Sequence, residues 1–569
     1  MLYKKIIVGE VLKRAIVVFL FGASFNLFAI ESDPALLNFR IERGQPSRVY
    51  FDSNTDIAGS TATGFKITNK LILKITIISG KTNGHYFTVA SPFTFWDNNT
   101  IRYEGGSNLM SDGSKMLPKF DLHYIDNNIV EPSSPIDRYV TVAGAGSHNG
   151  TLGNEWTLSE ACANARSGMC VWIEKGDYGS GNFIIVNNGT ADAPIQFIGY
   201  KDVPGDNPTL PFVPTTSFSA AEMPYIHTTS NKGNGFDISY KEYIIISNIQ
   251  VEGYYYTIKN DNSNYTILDN VYARGGHGVI YGLANSSGTN QRVINSYASN
   301  ATGWGIVLAG ERHLVEGCYI SSNYNVGMDY SISMNGAKMT NSGGHIVRNN
   351  DIYHSVLEKS HRGHGITLYG MKPHSWSLVE NCKVTNIRQC LEARRNLVND
   401  CTWRNIDIIS DGYEGNIAIN ISSARRNVFD NIRMNDGEVA ITFYVANISN
   451  DPHAVDKGRD NLIKNCIFKG GSTIIRIDED MEGLGRTLYG NIVKDCTFSD
   501  FRWVFQTLSN DPVGPGNIVK QSSIEETPLL EYEYTKSGPH NFTFENSNFW
   551  KSFGTPSGDG NTSVNPRSN

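Results

Sequence analysis

Between residues 329 and 478 the chain gathers side chains able to move protons on a charged substrate. Asp329, His361, His364, Tyr369, Glu392, Arg394 and Tyr444 have the chemistry of a catalyst, and Arg362, Arg395, Asn420, Arg425, Arg476 and Asp478 the chemistry of groups that hold its substrate. Two reactions fit. In β-elimination from a uronic acid, a cation neutralises the carboxylate, a base takes the C5 proton and an acid protonates the departing oxygen. Arg394 would then be the neutraliser, with Tyr369 or His364 as base and Tyr444 or His361 as acid. In hydrolysis the working pair would be carboxylates. Asp329 and Glu392, two repeats apart, would stand about 10 Å from each other, near the upper end of the inverting range.

An alignment of short segments places these residues on one face. Segments beginning at His277, Trp304, Val326, His364, Gln389, Ile417, Val439, Thr473 and Trp503 have mostly apolar third and fifth residues, which on a strand point inward. The fourth, outward position then reads Ile280, Val307, Asp329, Thr367, Glu392, Asn420, Thr442, Arg476 and Gln506. Two residues on, the same face reads Gly282, Ala309, Ser331, Tyr369, Arg394, Ser422, Tyr444, Asp478 and Leu508. Apolar ends and a polar middle define a groove over roughly five or six coils, whose spacing of about 4.8 Å matches the advance of one sugar residue. The flanking loops add Lys359, His361, Arg362, Lys372 and His374 on one side and Arg395, Arg425 and Arg426 on the other. Such a cluster on a chain of net charge -7 points to an anionic polymer.

What would hold these strands in line is a phrase of the type Leu-Val-Glu-Asn-Cys. It returns at 265–270, 313–318, 345–350, 377–382, 396–401, 427–432, 461–466, 491–496 and 517–522. Steps of roughly 20 to 35 residues, rich in β-branched residues and without a helical period, mean stacked β coils. The expected fold is all-β, a right-handed parallel β-helix over 139–550. In this register Cys318, Cys382, Cys401, Cys466 and Cys496 occupy one slot, filled elsewhere by Asn350, Ile432 or Ser522, so the thiols should stack as small apolar groups in one inward column. Cys390 falls in a second such column. No CxxC and no paired His spacing marks a metal site. Cys162 and Cys170 are close enough in sequence to pair, but disulfides are not the framework.

The N-terminal part reads differently. Lys4, Lys5, Lys13 and Arg14 precede the apolar run from Ala15 to Gly22, with Ala23 and Ala29 as small residues for cleavage, so 1–29 reads as a bacterial export signal too short to span a bilayer. The mature protein should be secreted or periplasmic. Over 32–130, short runs such as Arg48-Val-Tyr-Phe51 and Thr100-Ile-Arg-Tyr103 between Gly, Asn, Asp and Ser turns read as an immunoglobulin-like β-sandwich. Its role reads as a spacer or cap more readily than as a carbohydrate-binding module. Glu131-Pro-Ser-Ser-Pro135 is the linker and 551–569 a tail. Thr157-Leu-Ser-Glu160 is a capping box before a short helix to about Ser167, placed to cover the open edge of the first coil.

The opening coil, Phe183-Ile-Ile-Val-Asn-Asn-Gly-Thr190 with Ala193-Pro-Ile-Gln-Phe-Ile-Gly-Tyr200, resembles the first coils of secreted β-helix polysaccharide lyases of the chondroitinase B and alginate lyase type. The resemblance covers 139–550 in architecture and implies a polysaccharide-active enzyme. That family uses a Lys on one coil and an Arg on the next, each shortly before an Arg-Asn pair. The matching pairs are Arg395-Asn396 and Arg426-Asn427, and counting back places Glu392 where the Lys belongs and Ser422 where the Arg belongs. The family's catalytic pair is therefore not matched. Asp451-Pro-His-Ala454 resembles the Asp-Pro-His-Asp of alginate C5-epimerases, with Ala454 in place of the last acid.

These observations favour a monomeric polysaccharide lyase acting on a uronate-containing or sulfated polymer. An inverting glycoside hydrolase using Asp329 and Glu392 is the alternative, and a non-catalytic glycan-binding β-helix a third reading. The charge offers no footprint for nucleic acid, and no segment beyond the leader suggests a membrane. No cofactor is demanded: calcium could sit on Asp478-Glu-Asp-Met-Glu482, although a solvated acidic turn is the plainer reading.

Overall fold

The computed structural model describes residues 35–55, 57–58, 62–77, 81–105, 110–111, 119–213, 216–282, 288–322, 330–336, 342–355, 363–370, 374–394, 398–410, 416–444, 456–477, 487–507, 516–525, 532–533 and 542–550. The leader at 1–29 and the tail at 551–569 lie outside them.

From Ile136 to Trp550 the strands form one parallel ladder whose main pairing segments fall on three faces, with short segments such as His374–Ser375 pairing between the first and the second. One coil runs through His364–Tyr369 on face A, Leu378–Glu380 on face B and Lys383–Thr385 on face C. The next coil answers with Gln389–Arg394 on face A and with Thr402–Ile409, which turns the corner from face B to face C. This is the parallel β-helix that the repeat predicts. Inward Ile, Val, Leu and Phe form a single core along its whole length, from Val140 to Phe544.

The repeated phrase is the local cause of this winding. Its Leu-Val-Glu is the face B strand, its Asn the corner, and its last residue the first inward residue of face C. The corner residue needs a left-handed φ, which Asn tolerates at little cost because its short amide bonds to nearby backbone. Asn248, Asn270, Asn295, Asn349, Asn381, Asn405, Asn431 and Asn465 all take φ between 46° and 57°. Their amides link coil to coil, Asn270 donating to Asn248 at 2.7 Å and Asn431 to Asn405 at 2.9 Å.

A second column lines the inside of the corner between faces A and B, where the chain turns and its amides need partners. It contains Gln291, His313, His345, Ser377, Cys401, Asn427, Asn461, Asn491 and Asn517. His345 Nδ1 accepts from the His313 amide at 3.2 Å, Ser377 Oγ from the His345 amide at 3.0 Å, and Asn427 Oδ1 from the Cys401 amide at 3.0 Å. Asn461 accepts from the Asn427 amide at 3.0 Å and donates to the carbonyl of Ala424 at 2.9 Å.

This column corrects the cysteine register. Cys401 belongs to it, whereas the column at the start of face C holds Cys318, Asn350, Cys382, Ile406, Ile432, Cys466, Cys496 and Ser522. The phrase at 396–401 misleads because that coil's face B strand is Thr402-Trp-Arg404, paired with Leu378–Glu380, so its corner is Asn405 and its inward residue Ile406. All eight cysteines are free and buried, Cys162 and Cys170 included. Burial pushes the Cys318, Cys382 and Cys401 thiols up to about 12.

At the first coil, helix α1 (Leu158–Asn164) is capped as the sequence predicts: Thr157 Oγ1 accepts from the Glu160 amide and Glu160 Oε2 from the Thr157 amide. Its Leu158, Ala161 and Cys162 join Phe183 and Ile185 in closing the core. The preceding segment is a sandwich. A five-stranded sheet, ordered Asp126–Asn127, Leu36–Ile41, Arg48–Ser53, His85–Val89 and Ile72–Thr76, faces a three-stranded one of Phe65–Ile67, Thr100–Tyr103 and Phe120–Tyr124. Phe39, Phe51, Phe65, Phe87 and Tyr103 fill the space between them.

Instead of acting as a loose spacer, the sandwich docks along face B. Trp96 is buried against Ile245 and Ile267, with its indole N–H donating to the Ala191 carbonyl at 3.1 Å. Further along, residues 121–126 run across successive rungs of a charge ladder. Asp126 meets Arg348 at 3.3 Å, His123 meets Arg404 at 3.1 Å and Asp121 meets Lys464 at 3.2 Å. Burial and the two nearby cations push the His123 pKa down to about 3, so its ring is neutral and accepts from Arg404.

Two outcomes are expected. A thiol reagent should find no reactive cysteine in the native protein and eight in denaturant; native reactivity of Cys318 or Cys382 would contradict the packing. Asn461→Ala orphans a buried amide and a buried carbonyl, so urea unfolding should show a loss of about 3 kcal/mol.

Candidate functional site

The inward residues of face A decide what faces out. Ile366 and Leu368, Leu391 and Ala393, and Ile419 and Ile421 are fully buried in the core, so the residues that alternate with them point away from it. Strand register then builds three columns. One runs Ser333, Thr367, Glu392, Asn420, Thr442, Arg476, and a second Asn335, Tyr369, Arg394, Ser422, Tyr444. On the other side of the first lie Trp304, Tyr330, His364 and Gln389.

Glu392 is the hub. Its side chain is only 3% exposed, and His364 Nδ1 stands 2.8 Å from its Oε2. That approach is off the straight line of a good hydrogen bond, a geometry that substrate can tighten. Thr367 Oγ1 donates to the same oxygen at 3.2 Å, and Asn420 Nδ2 donates to Gln389 Oε1 at 3.0 Å and to Glu392 Oε1 at 3.4 Å. On the opposite flank Arg394 Nε lies 3.8 Å from Glu392 Oε1. Its Nη1 donates to the Tyr330 hydroxyl at 2.6 Å, and its guanidinium lies 5.6 Å from the centre of the Tyr369 ring. The Tyr330 and His364 rings stack at 4.4 Å and 14°. The carboxamide oxygen of Asn420 and the hydroxyl of Thr442 are buried without a hydrogen-bond partner, as acceptors awaiting a ligand would be.

Opposing forces set the protonation states. Burial raises the Glu392 pKa, but His364, Arg394 and Thr367 outweigh it and hold the carboxyl below its usual 4.5. Burial likewise opposes the Arg394 cation, and Glu392 with the Tyr330, Tyr369 and Tyr444 phenols outweighs it. The site therefore holds a fixed anion, a fixed cation, an imidazole and phenols, a set suited to moving a proton beside a substrate carboxylate.

Several expectations need correction. The strand that pairs with His364–Tyr369 is Tyr330–Gly336, with Ile332 and Met334 as its inward pair. Ser333, not Asp329, therefore neighbours Thr367, and Asp329 lies outside the described residues. A slip of one residue, against four at Asp329, applies to Ile280, which is buried and inward, while Tyr281 takes the outward place opposite Val307. Arg425 is past the corner at Ser423, on the next short segment opposite Asn399, and Arg426 is held by Asp400 at 2.8 Å. His374 is fully buried with its pKa pushed down to about 3 by burial, so it is no groove cation. Arg476 keeps its column, three coils beyond Glu392.

His361, Arg362, Arg395 and Asp478, the last part of the acidic run considered for calcium, lie outside the described residues, as do Lys359, Lys372 and Asp451 to Ala454. Among the described residues no group of three or more His, Cys, Asp or Glu is arranged to hold a metal. No described helix is long and apolar enough to cross a membrane. Tyr330 and Gln389 were missed. The signal was present, since Tyr330-Ser-Ile-Ser-Met-Asn335 matches His364-Gly-Ile-Thr-Leu-Tyr369 position by position.

No protein-family model and no curated protein matches the chain. Among solved structures it is similar to pectate lyase Pel9A at 14% identity, over 61% of this chain and 80% of that one, with a TM-score of 0.36. A mannuronic acid specific polysaccharide family 6 lyase from human gut microbiota aligns at 13% identity over 76% and 83%, with a TM-score of 0.34. The catalytic unit of a GH87 alpha-1,3-glucanase from Streptomyces thermodiastaticus aligns at 12% identity over 92% and 90%, also with a TM-score of 0.34.

The depressed Glu392 pKa has a sign that can be measured. A carboxyl held below 4.5 in the fold adds stability that is complete above that value and is lost as pH falls through the folded one. Glu392→Gln should flatten the acid limb of the stability curve, read by urea unfolding at several pH values. An unchanged acid limb would show that Glu392 is not held in this way.

Proposed function

We propose that this protein is a secreted polysaccharide lyase that cleaves a uronate-containing chain by β-elimination across face A. The observation that carries the reading is the state of Glu392. It is the one carboxylate in the three columns among the described residues, and its neighbours keep it ionised. A hydrolase needs a second carboxyl and a proton donor of raised pKa. A buried, ionised Glu392 suits instead the orientation of an imidazole.

In the proposed reaction Arg394 neutralises the substrate carboxylate, which makes the C5 proton acidic and stabilises the enolate that forms when it leaves. His364 takes that proton on Nε2, its ring aligned by Glu392 on the Nδ1 side. The electron pair from the C5–H bond forms the C4–C5 double bond, and the bond from C4 to the glycosidic oxygen breaks. Tyr330, whose oxygen accepts a hydrogen bond from the Arg394 guanidinium, supplies the proton to the departing oxygen. Tyr369, over the Arg394 face, becomes a support for the cation in preference to a base, and Asn420 holds a hydroxyl.

The test uses polygalacturonate, alginate, chondroitin sulfate and hyaluronan. Reducing ends and the ultraviolet absorbance of the unsaturated uronate should rise together; reducing ends alone would establish hydrolysis. Tyr330→Phe and Glu392→Gln should each lower kcat by about 10² to 10⁴, and Arg394→Ala should leave only background. Full activity in all three variants would move the active site off this face.

A further inference from the structure

Toward the N-terminal end of face A the outward columns change from polar to aromatic. The column containing Tyr330 continues through Trp304, Gly278 and Tyr256, and the column containing Ser333 through Val307, Tyr281 and Lys259. Tyr256 stacks on Tyr281 at 4.1 Å, Tyr281 lies 5.5 Å from Trp304, and His277 meets Trp304 at 4.6 Å and stacks on Tyr255 at 5.0 Å. Tyr255 is 41% exposed, and Tyr256, His277 and Trp304 are half-buried. Lys259 is the one Lys or Arg in these aromatic stretches of the two columns, and it lies between Asp237 at 4.0 Å and Asp261 at 3.7 Å.

Rings left partly open to water, on the face that carries the candidate site, give sugar faces something to stack on. We infer that Tyr255, Tyr256, His277 and Trp304, with the buried Tyr281 packed against Tyr256 and Trp304, form a distal subsite for pyranose rings of the same polymer. This rests on the reading of face A as a polysaccharide site and deepens it. Trp304 is one coil from Tyr330 and two from His364, so the subsite begins about 5 to 10 Å from the reacting bond, one to two sugars away. Because Lys259 is already paired, the subsite reads the apolar face of a sugar and not its charge. Neutral residues are accepted there, while Arg394 demands a uronate at the point of cleavage.

Affinity electrophoresis in gels containing polygalacturonate, alginate or hyaluronan tests this, alongside turnover of the same polymers and of their disaccharides. Native protein should be retarded by at least one polymer. Trp304→Ala should weaken that retardation about tenfold, Trp304→Phe should restore most of it, and both should turn over disaccharides normally. Retardation by the platform should also persist at salt that screens exposed charges. No retardation of native protein by any polymer, or retardation indifferent to Trp304→Ala, overturns the inference. So does an equal loss on disaccharides, which would place Trp304 in the reaction itself. Retardation that depends on Trp304 without any cleavage leaves the subsite standing and removes the lyase reading instead.

Discussion

Everything in the β-helix depends on satisfying the backbone at its corners. Along the faces each amide finds a carbonyl one coil away, but where the chain turns that ladder breaks, and buried amides without partners would cost more than the turn could recover. The column from Gln291 through His345 and Asn427 to Asn517 supplies the missing acceptors from side chains. At the next corner the left-handed asparagines turn the chain, and their side chains bond from coil to coil. Because these side chains act between coils, they also fix one coil's phase against the next.

That phase is what makes a site possible. Glu392, His364, Arg394 and Tyr330 come from three different coils, and their contacts of 2.6 to 3.8 Å exist only if each coil stops turning at the same place. A slip of one residue would send every side chain on face A to the opposite side. The rigid interior thus orients groups that are far apart in sequence, while the loops that differ in length between coils leave the columns undisturbed.

The sequence revealed this architecture where composition and position coincide. The Leu-Val-Glu-Asn-Cys phrase showed the coils because each of its residues has a separate geometric duty. The columns through Thr367, Glu392 and Asn420 and through Tyr369, Arg394 and Ser422 followed from inward Ile and Leu at fixed offsets. Errors arose where two solutions share a pattern. Val326-Gly-Met-Asp-Tyr330 imitates a face A strand, and only pairing with His364–Tyr369 shows that the strand starts at Tyr330. Asn396-Leu-Val-Asn-Asp-Cys401 imitates the corner phrase in the same way. The docking of the sandwich had no local signal, because Asp121, His123 and Asp126 are unremarkable until the rungs they meet are placed.

That docking changes the statistical mechanics of the solenoid. In a stack where every unit touches only its neighbours, stability is a sum of nearest-neighbour terms, and the array can fray inward from an end or melt in the middle. The sandwich introduces couplings of longer range: it grips the coils of Arg292, Arg348, Arg404 and Lys464 with one rigid body. For any of those coils to open, the clasp must release or the others must follow. The coils between Arg348 and Lys464, which carry Glu392 and Arg394, therefore melt as a block instead of one at a time.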